Sequence, residues 1–373
     1  MSIGKKCPYT TRRSPRNAKV KVVDLFCGIG GLTHGLVLEG FKVVAGVDND
    51  EGCKFAFEAN NKGAEFIKRD IAKFTPKELK ALFRGASVRV LVGCAPCQPY
   101  STLNRNRVSK KEARKKWYPL YRFMKLIREV KPEIVSMENV PDLSNTAKYA
   151  VFGEFVETLG ELGYAVSFRT VDASRYGVPQ KRQRLVLLAS RLGNISLIEE
   201  THREDNLVTV RDAIRSLPRL KDGSVHATDP LHRTSALSEK NKKRIAATPK
   251  NGGSATSWSL DLVPNCYRKK SGKSYMVTVY GRMRWDDPAP TITTQCTTLG
   301  TGRFGHPSQN RAISLREAAL LQSFPKTYNF GTENEIGLTR TARHIGNAVP
   351  VLLGRAIGKT LRKHLQKIHT STP

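Results

Sequence analysis

Acidic residues are scarce in this chain. Its 373 residues include 32 Asp and Glu against 63 Lys and Arg, a formal charge of +31. A field of that sign and size excludes a surface suited to small neutral substrates. It implies a polyanion, because basic side chains take the place of counterions condensed on phosphates. Nucleic acid is therefore the expected partner, with a merely solubilising basic surface as the plainer alternative. Long hydrophobic runs are missing as well. No stretch is apolar enough to cross a bilayer, and no hydrophobic segment follows the basic opening MSIGKKCPYTTRRSPRNAK, so neither a spanning helix nor a secretory signal is expected. Cysteine is sparse and odd in number, seven in all, which does not suit a disulfide framework; a reduced, cytoplasmic protein is expected. Internal repeats and low-complexity tracts are absent. Apolar residues still make up 39%, enough for the core of one large α/β domain and a smaller partner.

What is present is a strand-helix alternation. KVKVVDLF (19–26), FKVVAGVD (41–48), SVRVLVG (87–93), PEIVSMEN (132–139) and RLVLLAS (184–190) are apolar, β-branched strand patterns. Between them GLTHGLVLEG (31–40) carries Leu32, Leu36 and Val37 at helical spacing and stops on Gly40, a helix runs through KFAFEAN, and another covers about Glu112 to Val130. Such alternation builds a mainly parallel sheet covered on both faces. After Arg191 the texture turns irregular; periodicity returns at LREAALLQSF (315–324) and in the amphipathic basic helix VLLGRAIGKTLRKHL (351–365). The expected division is a basic tail over 1–19, an α/β domain over 20–190, an inserted variable module over 191–324, and a hinge over 325–373 whose helix returns to the first domain.

Two loops carry chemistry. DLFCGIGG (24–31) is a Gly-rich turn between a strand and a helix, where the backbone can approach a ligand closely and the helix N-terminus favours an electron-rich edge. Asp48 ends the next strand, suited to ribose hydroxyls; Asp70 could accept from an adenine amino group, and Phe26 could pack on the ring. Thr33 occupies the third glycine position of the dinucleotide fingerprint, which counts against NAD or FAD and leaves a single adenosine-type cofactor open. An ordinary strand-to-helix turn would look the same. The second loop, GCAPCQPYS (93–101), opens on the same side of the sheet. A zinc reading lacks a second Cys-x-x-Cys, and the eight His are dispersed. A redox couple belongs at a helix N-terminus, whereas Pro99 and the polar residues after it indicate a loop. Cys94 is expected as a small buried residue finishing the strand, and Cys97, between Pro96 and Gln98, as the exposed thiol. Glu138 and Asn139 end the strand in SMENVP (136–141). In QKRQR, Arg182 and Arg184 alternate, so both are expected on one strand face, set for planar acceptors or a solvated edge.

DLFCGIGG, VDND, RDI, GCAPCQPYS, SMENVP, QKRQR, LREAALLQSFP and GNAVP follow one another in the order seen in cytosine-C5 DNA methyltransferases, over roughly residues 20–190 and 311–351. The chain resembles that family. The resemblance implies an α/β, Rossmann-like, S-adenosylmethionine-dependent methyltransferase fold with a smaller, irregular target recognition domain over 191–324. It also implies S-adenosylmethionine as cofactor, a cytosine flipped out of double-stranded DNA as substrate, a monomer, and a prokaryotic or viral restriction-modification setting at the nucleoid. Carried over by position, Cys97 is the nucleophile for cytosine C6, Glu138 holds and protonates N3, Arg184 contacts O2, and Arg182 steadies the catalytic loop or the base. Phe26, Gly28, Gly30, Gly31, Asp48, Asn49, Asp70, Ile71 and Asn347 surround the cofactor; Pro96, Gln98, Ser101 and Asn139 adjoin the substrate. Asn49 departs from the family's usual bulky apolar residue, and RDI from Gly-Asp-Ile. The basic segment after Cys97 is expected to form a closing loop over about 98–117, and the Arg, Thr and Gly of 281–307 to reach bases and phosphates. An RNA cytosine-C5 methyltransferase on the same core is the alternative. A silent DNA-binding relative or a thiol-disulfide protein are readings from other classes.

Overall fold

The computed structural model describes residues 19–96, 117–268 and 278–371. They form two compact units. The first comprises the chain up to Asp172, Gln183–Glu199 and the chain from Val351 on; the second comprises Ala173–Arg182 and Glu200–Pro350. The boundaries differ from the expected ones. Residues 173–182 and 325–350 go with the second unit, and the first keeps only the C-terminal helix from the expected hinge.

A seven-stranded sheet organises the first unit, in the order β3-β2-β1-β4-β5-β7-β6. Its strands are β1 (Val20–Leu25), β2 (Lys42–Asp48), β3 (Glu65–Lys68), β4 (Val88–Gly93), β5 (Ile134–Asn139), β6 (Ala165–Asp172) and β7 (Gln183–Ser190). β1 to β5 run parallel; β7 pairs antiparallel with both β5 and β6. The central strands read as continuous apolar runs because helices cover both faces, and β5 is buried along its whole length. β6 was not anticipated. Phe168, Arg169 and Thr170 are exposed on this edge strand, so its apolar signal is diluted. Phe123 and Phe155 meet edge to face in the core below the sheet, ring centroids 5.7 Å apart.

The C-terminal helix Val351–Ser371 lies against α1 (Gly31–Leu38) at backbone distance. A Cβ added at Gly35 would stand 2.4 Å from Arg355 N, so glycine alone permits this crossing. Buried Glu39, at the end of α1, ties the pair together: Oε1 lies 2.7 Å from Arg355 Nε and Oε2 lies 2.7 Å from Arg362. This places the return of the last helix on Gly35 and Glu39 rather than on propensity.

The second unit has little regular structure, and buried arginines take over the work of ladders. Arg282 is fully buried. Its guanidinium donates to the carbonyls of Thr248, Ile245, His306 and Gln309 and to Asn310 Oδ1. Loop carbonyls removed from water need such donors. Among the described residues, no helix is long and apolar enough to cross a membrane.

Candidate active site

Strand register assembles the site in the first unit. Val47, Leu25, Gly93 and Met137 are aligned across β2, β1, β4 and β5. The next residue in the chain after each is Asp48, Phe26, Cys94 or Glu138; the first and last are still in β2 and β5, and Phe26 and Cys94 follow directly on β1 and β4. Four chemically distinct residues thus lie at the C-terminal ends of neighbouring parallel strands. The order reverses between β1 and β4, and a crevice opens at such a switch point in open α/β sheets.

On the β1 side the chain turns sharply. Phe26 has φ 59, a conformation that costs a non-glycine residue energy and that clusters at functional positions; its amide donates to Val47 O at 2.7 Å. Gly28 (φ 51) and Gly30 (φ 83) complete the turn. Around a Cβ built on Gly28 there is no heavy atom within 4 Å, so the turn faces open space. Asp48 is held from both sides: Gly28 N donates to Oδ2 and Asp50 N to Oδ1, each at 2.9 Å. α1 starts at Gly31 with no side chain capping its first amides. Asn49 and Asp70 are exposed, and Asp70 Oδ1 accepts from Ala72 N at 2.8 Å. Ile71 packs into the core. Asn347 lies in the second unit, exposed, at the last position of the helix Leu338–Asn347.

Thr33 explains its own departure from the dinucleotide fingerprint. Its hydroxyl donates to Asp24 Oδ2 at 2.6 Å, and both residues are buried. Burial raises the Asp24 carboxyl, the Thr33 hydrogen bond opposes it and the Asp48 charge adds to it, leaving it at about 7. A glycine here would leave that acid without its donor. Sequence reading missed Asp24, although an acid inside an apolar strand was the available signal.

On the β4 side, Glu138 is 2% exposed. Cys94 Sγ donates to its Oε2 at 2.7 Å. Arg184 Nε lies 2.8 Å from Oε1, an ion-pair contact outside hydrogen-bond alignment, so Oε1 has no aligned donor among the described residues. Cys94 is therefore not the inert buried residue expected: β4 ends at Gly93, and the thiol, half-buried, engages the acid. Asn139 is spent within the protein. Its Nδ2 donates to Ala95 O at 3.1 Å and its Oδ1 accepts from Val140 N at 2.9 Å, bracing the loop that leads to Pro96, which is exposed. Cys97, Gln98, Ser101 and the expected closing loop up to residue 116 lie outside the described residues.

The two arginines of QKRQR do not share a strand face. β7 begins at Gln183, so only Arg184 is in it. Arg182 belongs to the second unit, where its buried guanidinium donates to Ile292 O (2.8 Å) and Gly346 O (3.0 Å). Gln180, also buried, bonds Leu321 O and Gln322 Oε1. Tertiary packing converts half of this polar motif into internal bracing, which the alternation of arginines could not reveal. Within 281–307, Arg282 is likewise consumed by carbonyls, whereas Arg284 is exposed. Burial pushes the Cys296 thiol up to about 12, which makes it inert.

The family model described as C-5 cytosine-specific DNA methylase matches residues 20–363. The chain is 48% identical over 348 residues to the Type II methylase M.HgiDII of Herpetosiphon aurantiacus, covering 93% of this chain and 96% of that relative. It is 30% identical over 352 residues to the Type II methyltransferase M.PspPI of Psychrobacter sp., covering 92% and 79%. Among solved structures, the Entamoeba histolytica methyltransferase EhMeth superposes with a TM-score of 0.63 at 16% identity, over 93% of this chain and 99% of that one, a likeness of fold.

Proposed function

The chain belongs to the C-5 cytosine-specific DNA methylase family and methylates C5 of cytosine in DNA; from that premise we propose how its own residues carry the reaction. The methyl donor is S-adenosylmethionine, whose sulfonium supplies the transferred methyl group. The β1 turn fits its adenosine part. Open space at Gly28 admits a ligand against the backbone. Each Asp48 oxygen holds one amide and keeps a lone pair for a ribose hydroxyl. Phe26 would pack on the ring and Asp70 would accept from its amino group, with Gly30, Gly31, Asn49 and Ile71 as the other residues of this unit that would hold it.

Cytosine C5 is a poor nucleophile. Addition of the Cys97 thiolate to C6 breaks the ring's conjugation and makes C5 enamine-like. Glu138 hydrogen-bonds and protonates N3 as charge develops there. Arg184, already at the Glu138 carboxylate, serves O2 with its fork of donors. Once C5 carries the methyl group, loss of its proton to solvent restores the C5–C6 double bond, breaks the C6–sulfur bond and releases the Cys97 thiolate. None of these atoms can be reached inside a duplex, so the base is flipped out. Arg182 acts at one remove, by bracing the second unit, which we assign to target recognition; Asn139 braces the loop before Cys97. The protein acts as a monomer, and its similarity to Type II methylases supports a role in restriction-modification.

The observation that carries this reading is Glu138: a buried acid at the switch-point crevice, with one oxygen pinned by a thiol and the other lacking an aligned donor. Duplex DNA containing 5-fluorocytosine tests the reading, because fluorine at C5 blocks the final elimination. With S-adenosylmethionine present, a covalent adduct should form and map to Cys97. An adduct on another cysteine, or on RNA alone, would overturn it.

A further inference from the structure

Cys94 stands directly beyond β4, among the neighbouring strand ends that carry Asp48, Phe26 and Glu138. Its amide donates to Leu25 O at 3.3 Å, so the backbone is still tied to β1 where the side chain leaves the sheet. Its Sγ lies 2.7 Å from Glu138 Oε2. A carboxylate as buried as Glu138 needs donors to hold it in one orientation. Arg184 sits beside Oε1 without hydrogen-bond alignment. Among the described residues, the aligned donor to this carboxylate is the Cys94 thiol.

We infer that Cys94 is a positioning residue for Glu138: its S–H pins Oε2 and so fixes the plane in which Oε1 meets N3 and the amino group of the flipped cytosine. This rests on the reading of Glu138 given above. A thiol suits the task. S–H is a weak donor, so it orients the carboxyl while leaving Oε1 open toward the base. Removal of the donor should cost turnover through Glu138 and through nothing else.

The test uses the full-length enzyme with saturating DNA, comparing kcat, the KM for S-adenosylmethionine and Tm across Cys94→Ala, Cys94→Ser, Glu138→Gln and the double variant Cys94→Ala/Glu138→Gln. Cys94→Ala should lower kcat by about tenfold, the scale of one hydrogen bond to a charged group, with KM and Tm unmoved. Cys94→Ser keeps a donor and should restore most of that loss. In the double variant the Cys94→Ala step should cost nothing beyond Glu138→Gln, since coupled residues are not additive. Equal losses in the Ala and Ser variants, losses that multiply in the double variant, or wild-type turnover in Cys94→Ala beside a crippled Glu138→Gln would each overturn the inference alone. Wild-type turnover in Glu138→Gln would instead remove the reading of Glu138 beneath it.

Discussion

Asp24 in the first unit and Glu317 in the second are equally buried, each 1% exposed, yet their carboxyls are shifted in opposite directions. Asp24 meets a neutral hydroxyl from Thr33 and a second acid in Asp48, and burial carries it up to about 7. Burial would raise Glu317 too, but Arg311 grips it with two hydrogen bonds and its charge, helped by His306 and the Ser314 amide, and holds it at about 2. Burial alone therefore does not decide the state of an acid; its partners do. The contrast extends beyond the two acids. In the second unit Arg282, Arg182 and Gln180 each donate to backbone carbonyls. The first unit keeps capacity in reserve, in Glu138 Oε1 and the open face of Gly28.

The sharpest way to break this division is to exchange charge for an amide in each unit. Glu138→Gln should reduce kcat by about 10²- to 10⁴-fold, the range for a general acid or base, while melting stays at the wild-type temperature or above it. Loss of stability in place of turnover would make Glu138 architectural. Glu317→Gln should do the reverse. Removing the charge that faces buried Arg311 costs about 3–5 kcal/mol, read as a fall in the urea midpoint, with kcat per folded molecule nearly unchanged. A large loss of turnover at full stability would erase the distinction between the units.

A smaller effect sharpens the contrast through pH. The folded Asp24 carboxyl titrates above its ordinary value of 3.8, so its contribution to stability is full below about pH 3.8 and is lost as pH rises through about 7. Glu317 titrates below its ordinary value of 4.5; its contribution is present above 4.5 and is lost as pH falls through about 2. Alkali therefore weakens the first unit and acid the second. Asp24→Asn, which keeps an acceptor for Thr33, should melt several degrees higher than wild type at pH 8 and together with it near pH 4. A Tm difference that is the same at both pH values would show that Asp24 is not the titrating group.

Much of the site was legible before any coordinates. Phe26, Asp48, Cys94 and Glu138 each end or follow an apolar strand pattern, and parallel strands must present those ends on one side. Their alignment on neighbouring strands was not legible, because register is set by pairing between strands. The fate of polar residues was the least legible. Arg182 and Arg184 are two apart in sequence and read alike, but one braces carbonyls and the other faces an acid. Cys94 read as packing and proved to be a hydrogen-bond donor.

By itself, then, the sequence determined the strand-helix alternation, the polyanion partner and the order of motifs that marks a cytosine-C5 methylase, since periodicity, net charge and local spacing are properties of the linear chain. Only the tertiary structure decided which buried polar groups are satisfied and which keep a free lone pair. That depends on donors and acceptors brought together from distant segments: Arg282 with Ile245 and His306, Asp24 with Thr33, Glu138 with Cys94 and Arg184. Burial makes each pairing count, because inside the protein no water is left to substitute for a missing partner.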